Sequence, residues 1–191
     1  MNRREALKAV SVIMGGTVIS ANTFLSGCSV EKDERVNSLF MESDVALLDE
    51  IGEAIIPTTD TPGAKAVGIG GFITMMVLDC YEPKHQNIFT QGLVSFKESF
   101  NKQYDHGFIK AKSEERIAFL TELDKAQRES SLKNKDNPDA VPHYFRMIKE
   151  LTLLGYFTSE IGCTQVRRYV ETPGRYEACI DYKAGDGAWA I

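Results

Sequence analysis

The chain has 191 residues, 43% hydrophobic and 26% charged, which is ordinary globular composition and sets a single domain as the expectation. Its net charge of −5, with no basic stripe or basic tail, argues against a nucleic-acid partner.

Residues 1–28 carry an arginine pair, Arg3-Arg4, then an apolar, glycine-containing stretch from Ala9 to Leu25, small residues and Cys28. This is the build of a bacterial export signal and is excluded from the fold. The segment Asn2–Lys8 resembles the twin-arginine signal read by the translocase that exports folded proteins, with Ala6 departing from the usual bulky residue. Leu25-Ser26-Gly27-Cys28 resembles a lipobox, in which the cysteine thiol is acylated and becomes the new N-terminus. An uncleaved membrane anchor is the other reading, but about 17 apolar or small residues with adjacent glycines is short for a span that needs roughly 20. Residues 29–42, polar at first, then read as a tether, and 43–191 as the folded domain.

Ser43-Asp44 predicts a helix start, with a capping side chain and an acid in the first turn. Val45, Leu48, Ile51 and Ile55 follow at helical spacing until Pro57. The turn Pro57-Thr58-Thr59-Asp60-Thr61-Pro62-Gly63 has φ fixed at two prolines, and Gly63 is expected to take a backbone angle other residues avoid. Asp60 is placed to cap what comes next. A second helix carries Ile69, Phe72, Ile73, Met76, Val77 and Cys80 on one face and breaks at Glu82-Pro83. The third has Phe89, Leu93, Phe96, Phe100 and Tyr104, with Gly107 as its stop. A fourth runs from Ser113 through Ile117, Leu120 and Leu123 to about Glu129. Ser130–Pro142 reads as a surface loop. The fifth, Tyr144–Ile161, is nearly apolar throughout and is expected to be the buried central helix. Beyond Cys163 the periodicity is lost. The fold class is therefore all-α, a bundle of about five helices with an irregular C-terminal tail.

No complete active site emerges from the residues. His85, His106 and His143 are far apart, outside any metal-binding spacing, and read as surface histidines. Neither Cys-x-x-Cys nor a haem-attachment motif occurs. Cys80 sits on an apolar helix face, where a buried free thiol is expected. Cys163 and Cys179 are the candidates for a disulfide, and an odd number of mature thiols also permits an inter-chain bridge, for which Cys163 is the better choice. Gly68-Ile69-Gly70-Gly71 lacks the strand and third glycine of a dinucleotide fingerprint, so close helix packing is the expected reason for its glycines. No catalytic, cofactor-binding or metal residue is assigned.

Two stretches carry a resemblance. Glu53–Lys65, EAIIPTTDTPGAK, and Leu151–Gly162, LTLLGYFTSEIG, with a weaker third match from Tyr169 to Tyr176, are similar to signatures of the gluconate 2-dehydrogenase subunit 3 family. That resemblance implies a small non-flavin subunit of a membrane-associated dehydrogenase. Its partner would be an FAD-bearing flavoprotein of the glucose–methanol–choline type that oxidises sugars, sugar acids or polyols, with a cytochrome c carrying haem c as an optional third subunit. The small subunit would supply the export signal, the membrane tether and stability. On this reading Pro57, Thr58, Thr59, Asp60, Pro62, Gly63, Tyr156, Phe157, Ser159 and Glu160 form the partner interface. The competing reading is that the two motifs pack on each other inside the domain. A stand-alone envelope lipoprotein, acting as scaffold or small-ligand binder, is the alternative function, and an independent enzyme using Asp60 or Glu160 is the third.

Overall fold

The computed structural model describes residues 39–190 apart from 136, 138, 139, 173, 175, 176 and 182; Arg3, Arg4, Cys28 and the tether up to residue 38 lie outside the described residues, as does Pro173 of the third motif. The chain divides into two units, Met1–Glu34 and Arg35–Ile191, and every described residue falls in the second.

Helix α1 spans Glu42–Ile55. Its first turn is closed by Asp44, whose carboxylate accepts the Met41 N–H at 2.9 Å while Lys97 binds its other oxygen. The acid at the third helical position thus does the capping expected of Ser43. Leu47, Leu48 and Ile51 turn inward. After the corner at 56–63, a 3-10 turn, Ala64–Val67, ends on Gly68 at φ +64°, a left-handed angle suited to glycine. Helix α2, Ile69–Cys80, starts there. A Cβ on Gly70 would lie 2.2 Å from the Val45 carbonyl, and the Gly70 N–H donates to Asp49 at 2.7 Å. Gly70 is thus the close-packing glycine, Gly68 serves the backbone, and Gly71 faces open space.

Helix α3, Pro83–Tyr104, begins with proline at its first position, where a missing N–H costs nothing. It buries the stripe Phe89, Leu93, Phe96 and Phe100. Its end differs from expectation. Asp105 takes the left-handed conformation at φ 58°, whereas Gly107 is extended at φ −79°. Gln86 in its first turn closes the preceding helix, its Nε2 donating to the carbonyls of Val77, Leu78 and Tyr81 at 3.1, 2.9 and 3.0 Å. These are two carbonyls from the last turn of α2 and that of Tyr81 just beyond it, which a helix end leaves without partners in its own helix. Gln86→Ala is expected to cost about 1–2 kcal/mol in urea denaturation, since half-buried acceptors lose their donor.

Helix α4 spans Ser113–Lys133, so the first residues of the expected loop are helical. Phe119 and Leu120 face in, whereas Ile117, predicted inward, is 53% exposed. Phe96, Phe100, Phe108 and Phe119 form an edge-to-face cluster with centroids 5.0–5.2 Å apart. Helix α5, Tyr144–Thr158, packs against all four other helices, as its apolar sequence predicts. Phe145, Ile148, Leu151, Gly155 and Tyr156 are buried, but Leu153 and Leu154 face outward. A Cβ on Gly155 would fall 2.4 Å from the Phe72 ring, so α2 and α5 meet at that glycine.

Helix α5 stops at extended Ser159, before the predicted Ile161, and the chain turns again as a π-helix, Gly162–Val166. The tail is not wholly irregular: β1, Arg168–Tyr169, pairs in parallel with β2, Trp189–Ala190. The Arg168 guanidinium lies 4.2 Å from the Trp189 ring centre and its Nε donates to the Gly187 carbonyl at 2.7 Å. Among the described residues no helix is long and apolar enough to cross a membrane.

Candidate functional site at the Glu53 corner

The corner between α1 and α2 is organised by a residue that the interface prediction left out. Glu53, on the last turn of α1, turns its carboxylate into the loop. Oε1 accepts the Thr58 N–H at 2.9 Å and the Thr58 hydroxyl at 2.7 Å, and Oε2 accepts the Lys65 N–H at 3.0 Å. The Thr58 hydroxyl in turn accepts the Gly63 N–H at 3.0 Å, so Glu53 and Thr58, rather than Asp60, take the N–H groups at the start of the following 3-10 turn. The Thr59 N–H donates to Thr61 O at 3.0 Å and the Ala64 N–H to Ile56 O at 2.9 Å, which completes the turn.

Gly63 is required for space. Its φ of −80° is open to any residue, but a Cβ there would lie 2.3 and 2.5 Å from the two Glu53 oxygens. The expectation of an unusual backbone angle is therefore corrected.

A second carboxylate backs the first. Glu50, one turn earlier on α1, accepts from Lys65 Nζ at 2.5 Å and from Arg116 Nη1 at 2.5 Å. Arg116 belongs to the first turn of α4, and its Nε and Nη2 donate to Phe108 O and Ile109 O at 3.0 and 2.6 Å. Burial by itself would raise the pKa of both acids. The bonds from Lys65 and Arg116 outweigh it at Glu50, and those from Thr58 and Lys65 outweigh it at Glu53, so both are held below the ordinary 4.5. A depressed carboxylate stabilises the fold above its unfolded pKa and ceases to do so as pH falls through its folded pKa. Stability is therefore expected to fall away below about pH 4.5, and Glu53→Gln to flatten that acid limb; urea melts between pH 3.5 and 7 check both.

The corner and the second motif meet. Tyr156 on α5 is 1% exposed, and its hydroxyl donates to the Pro62 carbonyl at 2.5 Å. Its ring packs edge-on to Phe157 at 5.2 Å. Tyr156 is thus a core residue, and its placement among the interface residues is corrected: in the folded chain its side chain has no surface to offer. Pro57, Thr58, Thr59, Asp60 and Glu160 are exposed, Pro62, Phe157 and Ser159 are half-buried, and Gly63 is buried. The Tyr156–Pro62 bond brings the corner and the C-terminal end of α5 to one edge of the domain.

Cys163 and Cys179 are unpaired, and the Cys163 thiol donates to Phe157 O at 3.3 Å; the bridge expected between them is not formed. Cys80, expected to be buried, is exposed at the last residue of α2. His143 is also more than a surface residue: it caps α5, its Nδ1 accepting the Phe145 N–H at 3.2 Å, and burial lowers its pKa. Among the described residues no group of three or more His, Cys, Asp or Glu is placed to hold a metal ion.

Glu53, Glu50 and Lys65 are thus engaged in bracing the loop, while Thr58, Thr59 and Asp60 lie exposed on it. This is an all-α domain. The model of the gluconate 2-dehydrogenase subunit 3 family matches residues 42–174, and the chain belongs to that family. Membership makes it the accessory subunit of a dehydrogenase. No curated protein and no solved structure matched the chain.

Proposed function

We propose that this chain is the non-catalytic small subunit of an exported, FAD-dependent dehydrogenase whose large subunit is a flavoprotein of the glucose–methanol–choline type. The observation that carries the reading is the family match over residues 42–174, which spans every α-helix described. Hydride removal from a sugar, sugar acid or polyol belongs to the partner's FAD. This chain provides three things. Arg3-Arg4 directs export by the twin-arginine translocase, which moves folded proteins and so can carry a preassembled, FAD-loaded pair. Cys28 receives the lipid that tethers the complex on the periplasmic side of the envelope. The helical domain docks on and stabilises the flavoprotein.

The docking edge is formed by the exposed corner, Pro57–Asp60, together with Phe157, Ser159 and Glu160. The Glu53 network and Tyr156 hold it rigid from behind, so little loop entropy is lost when a partner binds. A lipid on Cys28 anchors the assembly without relying on a cytochrome c, which stands as an optional third subunit.

The test is affinity purification of the tagged chain from its native membrane, read by mass spectrometry and by a flavin absorption scan. A stoichiometric large partner with bound FAD is the expected result. A colourless monomer after gentle solubilisation would overturn the proposal in favour of a stand-alone envelope lipoprotein.

A further inference from the structure

We propose that Arg167 is the charged anchor of the docking edge and takes a carboxylate from the catalytic subunit of the dehydrogenase, an inference that rests on the subunit reading above. The π-helix after α5 puts the residue there. A Cβ on Gly162 would collide with the Tyr156 carbonyl, so only glycine lets that turn lie close on the end of α5. Arg167 closes the turn, its backbone N–H donating to Gly162 O at 3.2 Å. Its guanidinium comes back over Phe157, 6.0 Å from the ring centre, and Nη2 donates to the Phe157 carbonyl at 3.1 Å.

This side chain is left short of partners. Nε is buried without a hydrogen bond, and no other described side chain has such an atom. The bonds that the guanidinium makes to described residues all leave from Nη2, to Phe157 O and, at 4.0 Å, to the Cys163 sulfur. A guanidinium carries five N–H donors in a planar, cationic fork that matches a carboxylate. Arg116, Arg128, Arg146 and Arg168 each face a carboxylate of this chain. Arg167 faces none among the described residues. A donor buried without an acceptor costs stability and is rare in folded chains, so its acceptor is to be sought outside this domain.

The surroundings fit a protein surface. Leu153 and Leu154 are 41% and 46% exposed, and Phe157, four and three residues further on, stands between them on the outward side of α5. An aromatic ring and an arginine beside exposed apolar surface are the residue types enriched at protein interfaces. An anionic membrane would also offer negative charge to the arginine. Glu160 is exposed on the same edge, however, and the chain carries a net charge of −5, so such a surface is repelled.

The test compares the tagged full-length chain with Arg167→Gln, each purified gently from its native membrane, by the amount of FAD-bearing partner retained. The substitution is expected to reduce retention about tenfold, the worth of one charge-assisted hydrogen bond. The subunit's own melting temperature should shift by about 2 °C or less, because the unmet donor disappears together with the Phe157 bond. Raising salt from about 50 to about 500 mM should weaken the native complex and leave that of Arg167→Gln nearly unchanged. A flavoprotein retained equally by both chains would overturn this proposal alone; no flavoprotein on the native chain would overturn the subunit reading and this proposal with it. Vesicles of phosphatidylglycerol and phosphatidylethanolamine supply the other arm. If they bound the Cys28→Ser chain, which has no thiol there to acylate, and Arg167→Gln abolished that binding, the anchor would belong to a lipid surface and the proposal would fail. Should Arg167→Gln not fold, Arg167→Lys is read in the same way, with a smaller loss expected, and a native complex indifferent to salt would overturn the proposal.

Discussion

Tyr156→Ala is expected to lower the unfolding free energy by about 3–5 kcal/mol, the range for emptying a fully buried aromatic site. The site has little freedom to collapse. Gly155 beside it is pressed against Phe72 and Ile69, and the Tyr156 carbonyl is engaged by the Ser159 N–H and hydroxyl at 3.2 and 2.7 Å. The Pro62 carbonyl also loses its phenol donor. At about 2–4 °C per kcal/mol for a domain of this size, the melting temperature should drop by roughly 10 °C. Tyr156→Phe removes only the hydroxyl and should cost about 1 kcal/mol. Urea denaturation followed by circular dichroism measures both. If Tyr156→Ala weakened the dehydrogenase complex while leaving this subunit's own melting temperature unchanged, the side chain would be an interface residue and its assignment to the core would fail.

Gly63→Ala is the second large effect, with an expected loss of about 2–3 kcal/mol, in the range for forcing extra atoms into a closed site. The backbone accepts alanine at φ −80°, so the whole cost is steric. The added methyl meets the Glu53 oxygens at 2.3 and 2.5 Å and the Thr58 backbone nitrogen at 2.6 Å. The carboxylate has to withdraw, and its bonds to Thr58 and Lys65 go with it. This mechanism predicts non-additivity. On a Glu53→Ala background most of the clash is already gone, and Gly63→Ala should then cost about 1 kcal/mol, what remains being the Thr58 nitrogen. A double-mutant cycle by denaturation tests it. Equal costs on the two backgrounds would mean that the glycine serves something other than the carboxylate.

The five helices were legible in the chain because helix formation is governed by near neighbours: apolar residues three and four apart, an acid in the first turn at Asp44, prolines at 57 and 83. The two motifs that identify the family are likewise contiguous stretches, and α5 is apolar enough to mark itself as the central helix. Ends were less legible, since a helix stops where its last carbonyls find other partners. The stop after α3 fell on Asp105 rather than Gly107, and α2 is closed by Gln86 from the next helix.

What only the tertiary structure decided are facts about which faces meet. Ile117 satisfies the α4 stripe and Cys80 the α2 stripe, yet both are exposed. Glu50 and Arg116 are 66 residues apart, and no local pattern pairs them. Gly63 looked like a residue chosen for its backbone angle; the reason lies in a carboxylate ten positions earlier that folds back over it. Tyr156 and Phe157 are adjacent and equally aromatic, and their different fates follow from the packing of α5 on α2, which turns one ring under Pro62 and leaves the other half-exposed. Local spacing sets where a helix can form and which stripe it offers, but burial is a property of the partner surface, and that surface exists only once distant segments have come together.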